Sequence, residues 1–219
     1  MNKMIKSITI NSILIALTAI MTFVPYIGYI TIGVTLSFTT LHIIVIFAAA
    51  FFGFKEGVVT SFAFGLFCLI KAASMPGSAA DADFVNPLIS ILPRVLFGLA
   101  SSTAFYFVRK SSNSAFKYTM LFLLPPLLTL FHSFITLSLY YLITVTFEHK
   151  YPHDYLVLIS SIFTINGVIE IISSLILVPS LVLVLNKALP NMSNYKIETN
   201  EKGDIDYENK WIRKFIGSL

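Results

Sequence analysis

The chain has 219 residues, of which 56% are hydrophobic and only 12% are charged, and its mean hydropathy is positive. Soluble domains carry roughly 25% charged residues, so this composition excludes an ordinary soluble domain and indicates a polytopic membrane protein. The net charge of +4 does not indicate nucleic-acid binding, because the basic residues lie at the ends of apolar runs. The single cysteine, Cys68, excludes intrachain disulfides and cysteine-based metal sites.

Six apolar stretches have the length of a membrane span, since about 20 helical residues cross the ~30 Å hydrocarbon core. We expect the first to be retained rather than cleaved as a signal peptide, because no small-x-small cleavage site follows it. Pro125 and Pro126 either kink the fifth span or mark its start near Leu127. The sequence therefore predicts an all-α bundle of six transmembrane helices, at residues 4–24, 36–54, 57–73, 86–108, 118–145 and 155–185.

The basic residues predict the orientation of this bundle. Seven lysines and arginines lie at one set of span ends, whereas Lys150 stands alone at the other set, among acidic residues. Under the positive-inside rule, both termini are cytoplasmic. The outer connection at residues 25–36 has no charge, which suits a lid over a pocket. The cytoplasmic set is Lys3, Lys6, Lys55, Arg109, Lys110, Lys117 and Lys187.

The composition changes after the sixth span. Residues 1–190 form the predicted transmembrane domain, and residues 191–219 form a cytoplasmic tail whose first part, 191–209, is polar and expected to be flexible. Residues 210–219 place Trp211 and Phe215 on one helical face and Arg213 on the other. This segment is either a basic amphipathic helix on the lipid bilayer or a frayed end without a role.

The fourth span carries an arginine well inside it. Arg94 at such a depth costs roughly 2.5–3.5 kcal/mol on insertion scales, so the folded protein must offset this cost. Asn86 and Ser90 precede it at four-residue steps and lie on the same helix face. Two partners for the guanidinium are open: a substrate group, or Glu170, the other ionisable residue deep in a span.

Polar side chains within the spans are the candidates for binding, because nucleotide and hydrolase motifs are absent from the sequence. No cofactor is implied. For the threonine and serine residues of the fifth span, the alternative is interhelical hydrogen bonding. For His132 the alternative is a structural role in the core, with its hydrogen bonds satisfied. The candidates are Thr39 and His42; Asn86, Ser90 and Arg94; Thr129, His132, Ser133 and Thr136; and Asn166 and Glu170.

A pair of small residues interrupts the bulky first span. Ser12 and Ala16 are four residues apart, which places them on one helix face. Small-xxx-small faces let another helix pack closely. The spacing alone does not distinguish a partner protein from another helix of the same chain.

The sequence resembles the substrate-binding (S) components of energy-coupling factor (ECF) transporters, small six-helix vitamin-uptake proteins. The matching segments are FVPYIGY after the first span, TLHIIVIFAAAFFGFKEGVVTSFAFGLFCLI in the next hairpin, ILPRVLFG in the fourth span and INGVIE in the sixth. They are most similar to the branch that contains pantothenate transporters. The resemblance covers most of residues 4–189.

The resemblance implies high-affinity capture of a vitamin and docking on a membrane scaffold (T) subunit that carries two cytoplasmic ATPase subunits. Ser12 and Ala16 occupy the positions of the family's Ala-xxx-Ala face for the scaffold, with serine in place of the first alanine. Arg94 suits the carboxylate of pantothenate, with Asn86, Asn166 and His132 for its polar remainder. The alternatives are an S component for riboflavin, pyridoxine or hydroxymethylpyrimidine, a small membrane enzyme that uses His132 and Glu170, and an assembly protein.

Overall fold

The structure is a computed structural model that describes residues 3–24, 27–32, 36–76, 83–146, 155–160 and 164–196. The described elements are α1 (Lys3–Phe23), β1 (Tyr29–Ile32), β2 (Leu36–Thr39), α2 (Leu41–Phe51), α3 (Phe54–Ser74), α4 (Pro87–Ser90), α5 (Leu92–Lys110), α6 (Ser114–Thr146), α7 (Tyr155–Ser160) and α8 (Ile165–Ala188). Residues 1–2, 25–26, 33–35, 77–82, 147–154, 161–163 and 197–219 lie outside the described chain, and with them parts of the predicted outer connections and the predicted amphipathic tail.

The predicted helical membrane bundle is confirmed. Five described helices are long and apolar enough to span a membrane: α1, α3, the joined α4 and α5, α6, and α8. The second predicted span is shorter than expected, since only Leu41–Phe51 is helical. Residues 36–39 instead pair antiparallel with β1, with Tyr29 opposite Thr39, because these short runs of aromatic, β-branched and threonine residues favour a strand.

The two prolines do not begin a helix in the fifth span. α6 runs without a break from Ser114 to Thr146, so the predicted alternative start near Leu127 is wrong. A helix in a membrane can continue past a proline when neighbouring groups, such as Ser and Thr side chains, satisfy the freed backbone carbonyls. The sixth predicted span contains two described helices instead of one, since Tyr155–Ser160 form α7 and α8 begins at Ile165 after Thr164 in an extended conformation.

The short helix α2 forms the centre of the bundle. All of its residues are buried, and it contacts α1, α3, α5, α6 and α8. Its last carbonyl groups are satisfied from outside the helix, since Arg109 Nη1 donates to the Ala49 carbonyl at 2.5 Å. α2 is therefore a buried core element whose first turn, at His42, follows the β-hairpin formed by β1 and β2, which we call the hairpin.

Close packing of α3 against α5 fixes the start of the fourth span. Gly65 allows this approach, since a methyl group there would lie 2.9 Å from Ile91 Cα and 3.1 Å from the Ser90 carbonyl. The Ser61 hydroxyl of α3 donates to the Arg94 carbonyl. Both contacts hold the backbone on either side of Arg94 against α3.

Residues 191–196 pack across one end of the bundle, although their composition predicts flexibility. The Asn194 backbone N–H donates to the Phe51 carbonyl at 2.7 Å, and Lys6 Nζ donates to the Asn191 carbonyl at 2.7 Å. Tyr195 is fully buried, and its hydroxyl donates to the Lys117 carbonyl at 2.5 Å. We call residues 191–196 the strap.

Candidate functional site

Arg94 lies in the first turn of α5 and is only 6% exposed. The preceding Pro93 has no backbone N–H, so the carbonyl group of Ile89, four residues earlier, loses its usual helical donor. Arg94 Nη1 donates to that carbonyl at 2.8 Å. One arm of the guanidinium therefore satisfies a backbone acceptor that would otherwise be unpaired in an apolar interior.

Two aromatic rings orient the remainder of the guanidinium. Arg94 Cζ lies 5.6 Å from the centroid of the Phe64 ring and 5.2 Å from that of Phe84. Such cation–π contacts contribute about 0.5–2 kcal/mol each. Arg94 Nε is buried and has no hydrogen-bond partner among the described residues. The Nε edge of a guanidinium is one that binds a carboxylate in bidentate geometry.

Two histidines lie beside this arginine. His42 of α2 and His132 of α6 stack with their ring centroids 5.7 Å apart and their planes at 19°. Phe64 contacts His132 at 5.8 Å as well as Arg94, and so connects the two groups. Within the described part of the chain, neither imidazole has a hydrogen-bond partner. A neutral imidazole has one donor and one acceptor, so this pair offers unused groups of both kinds.

Glu170 of α8 binds the hairpin. Its Oε1 accepts a hydrogen bond from the Thr39 backbone N–H at 2.8 Å, and its carboxyl group also faces Ser133. No ion pair joins Glu170 to Arg94 in the regions that the structure describes. Of the two partners that the sequence leaves open for Arg94, Glu170 is therefore engaged elsewhere in this structure.

Asn86 and Ser90 make local contacts that shape the turn before Arg94. Asn86 caps α4, since its Oδ1 accepts a hydrogen bond from the Leu88 N–H at 3.0 Å. The Ser90 hydroxyl donates to the Phe84 carbonyl. Both side chains thus hold Phe84 and α4 around the guanidinium.

Comparison with known proteins identifies the family. A family model described as ECF transporter, substrate-specific component, matches residues 6–182 of the chain. The chain belongs to this family. The S component is also 28% identical over 187 residues to a protein named pantothenate transporter PanT from Leuconostoc mesenteroides subsp. mesenteroides, covering 82% of this chain and 92% of that relative. The predicted family membership is confirmed, and the S component is a multi-pass protein of the cell membrane.

Two further candidate residues of the S component each have a buried polar atom without a hydrogen bond in the described chain. The two atoms are Asn166 Oδ1, in the first turn of α8, and Thr136 Oγ1, one turn after His132 in α6. Thr39 and Glu170 bind each other, whereas His42, Arg94, His132 and Asn166 keep unused donors or acceptors.

The aromatic residues of the site were not predicted from the sequence. Phe64, Phe84 and Phe97 contact Arg94 or His132, with Phe97 4.8 Å from the His132 ring. Phenylalanine is abundant in the chain, at 20 residues, so no single ring is distinctive. The spacing of Phe97 three residues after Arg94 was the available signal, because it places both on one side of α5.

The small-residue pair of the S component faces outward. Ser12 and Ala16 both lie on the exposed side of α1, beside exposed Ile13 and Leu17. Packing against another helix of the same chain, the alternative that the sequence leaves open, therefore does not explain these small residues in this structure.

Proposed function

We propose that this S component captures pantothenate at the outer side of the membrane, with its carboxylate bound by Arg94. One observation carries the proposal: Arg94 is buried, its Nη1 is used by the Ile89 carbonyl, and its Nε is unpaired with no acidic side chain bound to it in the described chain. A ligand carboxylate supplies the missing charge and the missing acceptor. The relative named as a pantothenate transporter supports the choice of vitamin.

The polar remainder of pantothenate, its hydroxyl and amide groups, suits the neighbouring side chains. His42, His132 and Asn166 provide buried donors and acceptors without partners in the described chain. Thr39 and Glu170 hold β2 next to this region, and the paired strands β1 and β2 serve as part of the lid. Asn86 and Ser90 support the site by fixing Phe84 and α4.

The test compares pantothenate with panthenol, in which an alcohol replaces the carboxylate. We expect calorimetric titration of the detergent-purified protein to show pantothenate bound at least about 100-fold more tightly, because charged hydrogen-bonded pairs are worth several kcal/mol when buried. In Arg94→Gln this preference collapses to within a few-fold. Lys110→Gln is the matched control, since Lys110 rests on the Tyr106 ring at the far end of the same helix.

Two results contradict the proposal. Equal affinity for both compounds in the wild-type protein rules out recognition of the carboxylate, and an unchanged preference in Arg94→Gln rules out Arg94 as its anchor. Mass spectrometry of small molecules that co-purify with the protein identifies the vitamin without an assumed ligand.

A second candidate function is an S component for a ring-shaped vitamin without a carboxylate, such as pyridoxine, hydroxymethylpyrimidine or riboflavin. The cluster of Phe64, Phe97 and His132 favours it, because aromatic faces stack on flat ligands. Thermal stabilisation by one of these compounds and not by pantothenate would select this function, since a ligand stabilises the state that it binds.

The energy for uptake is proposed to come from a scaffold subunit with two ATPase subunits. The exposed pair Ser12 and Ala16 on α1 is the proposed contact for the scaffold. Ser12→Leu and Ala16→Leu should abolish uptake while pantothenate binding to the isolated protein remains; Ile13→Leu, at an exposed bulky position of α1, is the control. Normal uptake in both variants would disprove docking at this face.

The proposed arrangement in the membrane has both termini in the cytoplasm, with residues 1–190 as the transmembrane domain and 191–219 as the tail. The distribution of lysine and arginine supports it. A cysteine introduced at Lys55 should resist an impermeant thiol reagent added outside cells, and one at Lys150 should react. The reverse result would invert the topology.

A further inference from the structure

Thr136 differs from the other buried helical threonines of the described chain. In an apolar environment a threonine hydroxyl commonly bonds the backbone carbonyl four residues earlier in its own helix. Five buried threonines do so at 2.7–2.9 Å: Thr18, Thr22, Thr60, Thr129 and Thr144. Thr136 is only 8% exposed, yet its Oγ1 has no hydrogen-bond partner among the described residues.

The missing hydrogen bond is specific to Thr136 and is not a general property of α6. Thr129 and Thr144 belong to the same helix, α6, and both form the bond to their own backbone. The Thr136 hydroxyl therefore lacks the bond to the carbonyl four residues earlier that these two threonines form. A buried hydroxyl without a hydrogen-bond partner is destabilising, and a ligand group that bonds it would remove this cost.

Thr136 lies one helical turn beyond His132 of the candidate site. It lies four residues after His132 and so on the same face of α6, where His132 stacks on His42 and contacts Phe97. Ser133, between them in sequence, faces Glu170 of α8. The face that contains Thr136 is therefore the one that α6 turns towards the other groups with unused donors and acceptors.

We infer that the Thr136 hydroxyl is a specificity-determining group that hydrogen-bonds a hydroxyl or amide of the captured ligand. The inference rests on the proposed function and adds a ligand contact to it. Arg94 would select the carboxylate end, and Thr136 would read the polar part of the ligand that lies towards α6. A binding site built to satisfy a hydroxyl discriminates strongly against ligands that leave its polar groups unpaired.

The experiment removes one hydroxyl at a time from α6. Thr136→Val should weaken pantothenate binding about tenfold in calorimetric titration, because the ligand group loses its partner. Thr144→Val is the matched control, since that buried hydroxyl bonds the Tyr140 carbonyl of its own helix, and it should change affinity less than about threefold. Thr136→Ser keeps the hydroxyl and should restore most of the affinity.

Thermal unfolding without ligand provides the second measurement. Thr136→Val should melt at the wild-type temperature or above it, because an unpaired buried polar group is removed. A lower melting temperature would show that the hydroxyl has a partner within the chain and would overturn the inference. Wild-type pantothenate affinity in Thr136→Val would also overturn it. If the wild-type protein does not bind pantothenate, the proposed function fails, and the ligand-free melting comparison decides the role of Thr136.

Discussion

At the scale of single residues, Arg94 shows how a membrane interior tolerates a charge. Pro93 leaves the Ile89 carbonyl without a helical donor, and Arg94 supplies one at 2.8 Å. The rings of Phe64 and Phe84 lie against the guanidinium, which adds attraction without an opposing charge. These contacts leave the net positive charge in place. The arginine is therefore held in one orientation and still attracts an anion.

Glu170 provides a prediction at the same scale. Its contact with Thr39 needs only an oxygen acceptor, so Glu170→Gln should bind pantothenate within about threefold of wild type, whereas Glu170→Leu releases the hairpin. Release should appear as faster ligand dissociation in stopped-flow measurements. If Glu170→Gln loses binding as severely as Arg94→Gln, the carboxylate charge matters and an Arg94–Glu170 pair forms at some stage of binding.

The sequence predicted the anomaly of Arg94 but not its contacts. The sequence shows a charge inside an apolar run. It also shows that Pro93 lies four residues after Ile89, so the Ile89 carbonyl lacks a helical donor next to Arg94. The rings of Phe64 and Phe84 come from different parts of the chain, and only tertiary packing brings them together. The local roles of Asn86 and Ser90 depend on the turn at Pro87, which helix periodicity does not describe.

At the scale of elements, the contact between α3 and α5 positions the site. Gly65→Ala places a methyl group 2.9 Å from Ile91 Cα, which is backbone and cannot rotate away. We expect destabilisation of about 1–3 kcal/mol and weaker pantothenate binding, because the start of α5 must shift. Thermal unfolding and titration measure both effects.

The control for this prediction is Ala73→Val, which adds bulk on the exposed side of the same helix. It should leave both quantities near wild type. If Gly65→Ala melts like the wild-type protein, the two helices are not in close contact at this point.

The same scale explains why one predicted span was too long. Apolar composition continues from residue 36 to residue 54, and hydropathy does not separate a buried strand from a buried helix. The β-pairing of Leu36–Thr39 with Tyr29–Ile32 decides the conformation of the first part, and pairing is not a property of one segment. The long, uninterrupted spans α1 and α3 were predicted within a few residues because length and composition suffice for them.

At the scale of the whole molecule, the strap connects parts of the bundle that are distant in sequence. Its backbone and side chains bond the ends of α1, α2 and α6, through Asn191, Asn194 and Tyr195. The Tyr195 ring also packs edge-on against Phe105 of α5, with centroids 5.9 Å apart. The strap therefore closes one end of the bundle, opposite the end of α2 that meets the hairpin.

The hydroxyl of Tyr195 gives this closure a pH dependence. Burial raises the pKa of Tyr195 above its ordinary value, so the folded state favours the neutral phenol. Stability from this group is complete below the ordinary tyrosine value of about 10 and falls as the pH rises above it. Tyr195→Phe should cost about 1 kcal/mol at neutral pH, through the lost bond to Lys117, and should lose less stability than wild type between pH 9 and 11. Thermal unfolding of both proteins across this pH range tests both effects. The titration of lysines contributes equally to the two proteins, so a difference between them reports on Tyr195. Parallel curves of melting temperature against pH for the two proteins would show that the Tyr195 hydroxyl is not held in the folded state by the strap.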